Sequence, residues 1–101
     1  MTVELPGGVE PYKRIATFTE ASIPAGLLAN HCTKQGTWGL IHVEKGRLRY
    51  VVTDPRRPPI DEILASDTRP GVVEPTILHR VEPLGAVAFY VEFYRVPEAP
   101  A

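Results

Sequence analysis

Eleven prolines and eight glycines divide this chain of 101 residues into short apolar runs, and that punctuation limits the fold more than any other feature. Proline inside a helix removes a hydrogen bond and clashes with the preceding turn. Glycine and proline together mark turns, so the runs between them read as strands. No amphipathic helical pattern, internal repeat or low-complexity tract stands out.

The runs have a period of two. Trp38 to Glu44 sets Gly39, Ile41 and Val43 against Leu40, His42 and Glu44. Arg47 to Thr53 sets Leu48, Tyr50 and Val52 against Arg47, Arg49 and Val51. Between them Lys45-Gly46 reads as a tight hairpin turn, because glycine accepts positive φ at little cost. Val87 to Tyr94 places Val87, Phe89, Val91 and Phe93 on one face. Tyr12 to Thr19, Leu27 to Thr33, Val72 to Glu74 and Ile77 to Glu82 are further strands. Ile60 to Ala65 is a strand or a single helical turn. About eight short strands at hairpin-like spacing predict an all-β sandwich or barrel. The expectation is one domain over 1–101, with frayed ends at 1–8 and 96–101.

Charge narrows the partners. Eleven Lys plus Arg balance twelve Asp plus Glu, so no positive field draws nucleic acid or anionic lipid. No run approaches the ~20 apolar residues of a membrane helix. Cys32 is the single cysteine, and the first eight residues lack a signal-peptide pattern. A reducing, cytoplasmic setting is expected.

Two stretches carry a resemblance. One is His31-Cys32-Thr33-Lys34-Gln35-Gly36-Thr37-Trp38-Gly39, continuing through Val43-Glu44-Lys45-Gly46-Arg47-Leu48. The other is Val73-Glu74-Pro75-Thr76-Ile77-Leu78-His79-Arg80-Val81-Glu82. Together they resemble the small cupin family named for the N-terminal domain of tellurite-resistance protein B, from about Ser22 to Tyr94. The resemblance implies a cupin-like double-stranded β-helix (jelly-roll barrel), and a homodimer as in many cupins. His31 stands near the first cupin histidine, Gly46 matches the turn glycine and His79 matches the second-motif histidine. Thr33 and Gly39 occupy places where the broader pattern has a histidine and a glutamate.

The implied site is built on His31 and His79 as ligands of a divalent transition metal (zinc, iron, nickel or manganese), with a pocket of Trp38, Thr33, Glu74 and Glu92. The alternative is a pair of hydrogen-bonded cavity histidines without metal. Glu92 points outward if Phe89, Val91 and Phe93 form the core. Glu74 is a ligand or hydrogen-bond acceptor at the barrel mouth, or a loop carboxylate that bonds backbone amides or pairs with Arg80. His42 reads as a surface or interface residue. Cys32 reads as a small thiol packed behind the barrel, because alternation turns it away from His31. Arg47, Arg49, Arg56 and Arg57 read as a solvated face offset by Asp54, Asp61 and Glu62. The expected function is binding of a small molecule or oxyanion in the barrel, with or without the metal. Two alternatives stay open: a metal-dependent oxygenase or isomerase, and a non-catalytic interaction module.

Overall fold

A computed structural model describes residues 4–96. The predicted fraying at 1–3 and 97–101 lies outside the described residues. Six strands and one helical turn follow in order: β1 (Glu10–Arg14), β2 (Phe18–Thr19), α1 (Ala25–Leu28), β3 (Thr37–Val52), β4 (Ile60–Leu64), β5 (Gly71–Val73) and β6 (His79–Arg95). All pairings are antiparallel, in the order β1-β6-β3-β4, with β2 also on β6 and β5 also on β3. The all-β class read from the sequence is the class observed. The hydrogen-bonded path is open at its ends rather than closed into a ring.

β3 and β6 pair along their full lengths, from Thr37 opposite Arg95 to Val52 opposite His79. Lys45-Gly46 is therefore not a hairpin turn. It is an irregularity in a continuous strand, with register shifts between Val43 and Lys45 and between Gly46 and Leu48. The irregularity has a packing consequence. Ile41 and Val43 are buried before it, and Leu48, Tyr50 and Val52 after it, so the buried positions change from odd to even. An extra residue in a strand inverts the alternation that follows. Without that inversion the second half of β3 would turn its apolar side chains to solvent. In the same way Ile77 to Glu82 and Val87 to Tyr94 are not two strands. The continuous β6 carries most of both.

The core joins Ile41, Val43, Leu48, Tyr50 and Val52 of β3 to Val81, Val87, Phe89 and Val91 of β6, with Leu64, Val73 and Ile77. The Tyr50 hydroxyl, buried with its ring, donates to the Val72 carbonyl at 2.9 Å. The opposite face of the sheet carries Trp38, Leu40 and His42 of β3, lying across from Tyr94, Glu92 and Tyr90 of β6.

The stretch Leu27 to Thr33 differs from expectation. Pro24 starts a single turn of helix, with the Leu27 amide donating to the Pro24 carbonyl at 2.9 Å. After that turn only His31 pairs, as an isolated bridge to His79. A turn this short has no periodicity to distinguish it from a strand.

Candidate functional site

Backbone pairing brings the two histidines together. The His31 amide donates to the His79 carbonyl and the His79 amide to the His31 carbonyl, both at 2.9 Å. Residues paired in this way carry their side chains on one face. The imidazole centroids are accordingly 4.2 Å apart, with the rings inclined at 58°. The Tyr50 ring meets His79 edge-on at 5.7 Å.

His79 is held from behind by a buried carboxylate. Asp54 accepts from the amides of Arg56 and Leu78 and from the Arg56 guanidinium, at 2.8–3.0 Å. The Arg56 guanidinium, with those two amides, holds Asp54 well below the usual carboxylate range. The amides of Thr53 and Asp54 return bonds to the Leu78 carbonyl. Two residues before Leu78, Thr76 has a φ of 66°, unusual for a β-branched residue. Its amide bonds the Thr33 carbonyl at 3.0 Å, and its carbonyl accepts from Arg56 at 2.5 Å. The segment leading into β6 is thus tied to the segment that carries His31 and Thr33.

The histidine pair lines a cavity of about 310 Å³. Its walls are mostly apolar, from Ile15, Leu27, Ile41, Val73, Val81, Phe89, Val91 and Phe93. Its polar groups come from His31, Cys32, Thr33, Thr37, His79, Tyr12, Lys13 and Lys34. None of the described lining residues is acidic. The Thr33 hydroxyl donates to the Thr37 carbonyl at 2.7 Å.

Burial pushes the His79 imidazole down to about 4, with the neighbouring His31 adding to the fall and the Ile77 carbonyl opposing it. A buried neutral histidine makes folding sensitive to acid. Below the unfolded value of 6.5 the unfolded chain takes up a proton that the folded chain resists until about 4. This contribution is complete above the unfolded value and is lost as pH falls through that interval, by about 3 kcal/mol in total. Urea midpoints measured from pH 7 to pH 4 should decline, and His79→Phe should remove that part of the decline. A variant curve parallel to that of the parent would assign the acid sensitivity to other groups.

Only some of the expected pocket residues meet here. Thr33 does. Trp38 lies on the opposite face of the sheet, across from Tyr94, because it falls out of phase with Gly39 and Ile41. Glu92 lies on that same face. It accepts from the Tyr94 hydroxyl at 2.5 Å and stands 3.8 Å from His42. Glu74 pairs with Arg57, not Arg80, and lines a separate hollow with Val52, Ile60 and Val72. Cys32 is exposed and lines the histidine cavity, not buried behind the sheet. The strand alternation used to turn it away does not apply, because residues 32–34 form no strand. The expected offsets hold for two of the four, since Arg49 pairs with Asp61, and also with Glu82, and Arg56 with Asp54, whereas Arg57 pairs with Glu74. Sequence reasoning missed Asp54 as a support of the site, and missed Lys13 and Leu27 as lining. The one available signal was the Phe89, Val91 and Phe93 face, which marks the wall they complete.

Residues 13–91 match the family model described as the TehB-like domain. A Haemophilus influenzae protein named a probable S-adenosyl-L-methionine-dependent methyltransferase, TehB, is 35% identical over 74 residues, which is 72% of this chain and 26% of the relative. Its counterpart in another strain is 34% identical over the same shares. The chain therefore spans about a quarter of the length of the curated relatives it matches. The crystal structure of TehB from Haemophilus influenzae aligns with a TM-score of 0.80 at 29% identity, covering 89% of this chain and 32% of that one. A crystal structure of an E. coli (strain K12) protein aligns at 0.79 and 19% identity, covering 96% of this chain and all of that one, a likeness of fold alone.

These findings correct the expected function. The relatives are named for methyl transfer from S-adenosylmethionine, not for oxyanion or metal binding, and neither the oxygenase or isomerase nor the interaction module fits that name. The divalent metal on His31 and His79 falls on the same ground. Among the described residues no three His, Cys, Asp or Glu are grouped to hold an ion, and a tight zinc site takes at least three protein ligands. S-adenosylmethionine does not suit the cavity either. Its sulfonium and ammonium cations call for negative surroundings. The described lining has two lysines and no carboxylate.

Proposed function

The chain belongs to the TehB-like domain family, and from that premise we propose that it serves S-adenosylmethionine-dependent methyl transfer as the domain that seats the methyl acceptor. The observation that carries this reading is the character of the cavity, which is apolar, lined by two imidazoles and two lysines, and free of acidic lining among the described residues. Such a site favours a neutral or electron-rich compound over the cationic methyl donor. The donor then binds to a separate segment or chain, in keeping with a match that spans about a quarter of the relatives. Among the described residues no helix is long and apolar enough to cross a membrane. With one cysteine, the domain works in the cytoplasm under this reading.

The test is a domain exchange. This chain replaces the matching segment of the Haemophilus influenzae relative, and release of S-adenosylhomocysteine is followed. The exchanged protein is expected to keep its turnover, and Val91→Trp, which fills the cavity from β6, is expected to reduce it to the level of the relative lacking the segment. Turnover unaffected by Val91→Trp, in a protein that still melts cooperatively, would remove the cavity from the reaction.

A further inference from the structure

The two imidazoles are locked in one tautomer. His31 Nδ1 lies 3.0 Å from the Ala29 carbonyl oxygen, and His79 Nδ1 lies 3.0 Å from the Ile77 carbonyl oxygen. A carbonyl oxygen only accepts, so each Nδ1 carries the hydrogen and donates. A neutral imidazole has one such hydrogen. With that hydrogen on Nδ1, the neutral ring leaves Nε2 as a bare lone pair, and neither Nε2 has a partner among the described residues. His42 Nε2, not either of these, is the buried unpartnered side-chain atom among the described residues. The Nε2 atoms of the pair thus keep accessible surface, and both residues line the cavity.

Two adjacent acceptors cannot satisfy each other, and neither takes a hydrogen bond from a protein donor among the described residues. The Thr33 hydroxyl donates to the Thr37 carbonyl and the Tyr50 hydroxyl to the Val72 carbonyl. Lys13 and Lys34 are exposed. The hydrogens that complete the site come from its occupant. The remaining walls, Ile41, Val81, Phe89, Val91 and Phe93, suit an apolar ring.

We infer that the occupant is a neutral aromatic compound with two adjacent hydrogen-bond donors, the chemistry of a catechol, seated on Nε2 of His31 and Nε2 of His79. The inference rests on the acceptor-seating reading above and specifies its substrate class. His79 stays neutral above about pH 4 and keeps its lone pair through the working range. A carboxylate would face two acceptors with no hydrogen to offer. A donor-free aromatic would bury both lone pairs unpaired.

Catechol, 2-fluorophenol and 1,2-difluorobenzene carry two, one and no donors at nearly constant shape. Their dissociation constants are measured by calorimetry on the whole chain, with a chelator present to exclude metal bridging. Affinity is expected to fall about tenfold for each donor removed. In His31→Phe and His79→Phe, each confirmed folded by thermal melting, the three affinities should converge. Equal binding of all three by the parent would overturn the donor requirement and leave the acceptor-seating reading intact. Binding of S-adenosylmethionine in the cavity with no binding of any of the three would overturn both. A series that persists in both folded variants would also overturn the inference, because the selection would then arise elsewhere.

Discussion

Gly46→Ala is expected to destabilise the fold by ~3–5 kcal/mol, a large share of the 5–15 kcal/mol typical of a domain. Two separate costs combine. Gly46 has a φ of +72°, where an L side chain is strained. A Cβ there would also lie 2.0 Å from the Ala86 carbonyl oxygen and 3.1 Å from Val87 Cα. Both obstacles are backbone of β6, so no side-chain rotation relieves the contact. The residue also sits in the irregularity that returns Leu48, Tyr50 and Val52 to the core, so a shift that relieves the clash disturbs their burial. Gly85 is the control. Its φ is +88°, but a Cβ there meets nothing within 4 Å. Gly85→Ala should therefore cost only the conformational part, about 1 kcal/mol. Urea unfolding of the two variants separates the terms. Equal losses at the two positions would show that Gly46 is needed for its φ alone.

Phe89→Ala should cost ~3–5 kcal/mol by the same measurement. The side chain is 1% exposed, lies in the apolar face of β6 and meets the Phe18 ring edge-on with centroids 5.8 Å apart. Truncation loses the buried ring and leaves a void, because β3 lies paired along β6 and cannot close on the gap. Phe89 also lines the histidine cavity, so the void joins the cavity and enlarges it. Phe89→Leu retains most of the volume and should lose about 1–2 kcal/mol. If Phe89→Ala lost no more than Phe89→Leu, the surrounding strands would be collapsing onto the site, contrary to the rigid pairing described here.

The faces of both long strands were readable in the sequence, because a period of two survives any error about where the chain turns. Leu48, Tyr50 and Val52 were grouped correctly, and so were Val87, Phe89 and Val91, which places Glu92 on the outer face. The path between those faces was not readable. Lys45-Gly46 has the local chemistry of a hairpin, and whether the chain reverses there depends on β6, more than thirty residues away, pairing straight past it. Cys32 was misplaced for a related reason, since alternation holds only where there is a strand. His31 and His79 met through family resemblance rather than periodicity, because His31 belongs to an isolated bridge. Their tautomers depend on two carbonyl oxygens, those of Ala29 and Ile77, that no sequence pattern marks. The methyl-transfer association came from relatives of which this chain matches one portion.

The central claim is that the cavity presents two bare Nε2 atoms to a methyl acceptor and not to the methyl donor. A long-range proton–nitrogen correlation spectrum of the histidines tests it most directly, because it reports tautomer and ligand contact together. At pH 7.5, His31 and His79 should both carry a hydrogen on Nδ1, with Nε2 resonances that move when catechol is added and stay fixed when S-adenosylmethionine is added. Protonation at Nε2 in the free protein, or Nε2 resonances that respond to S-adenosylmethionine and not to catechol, would contradict the account.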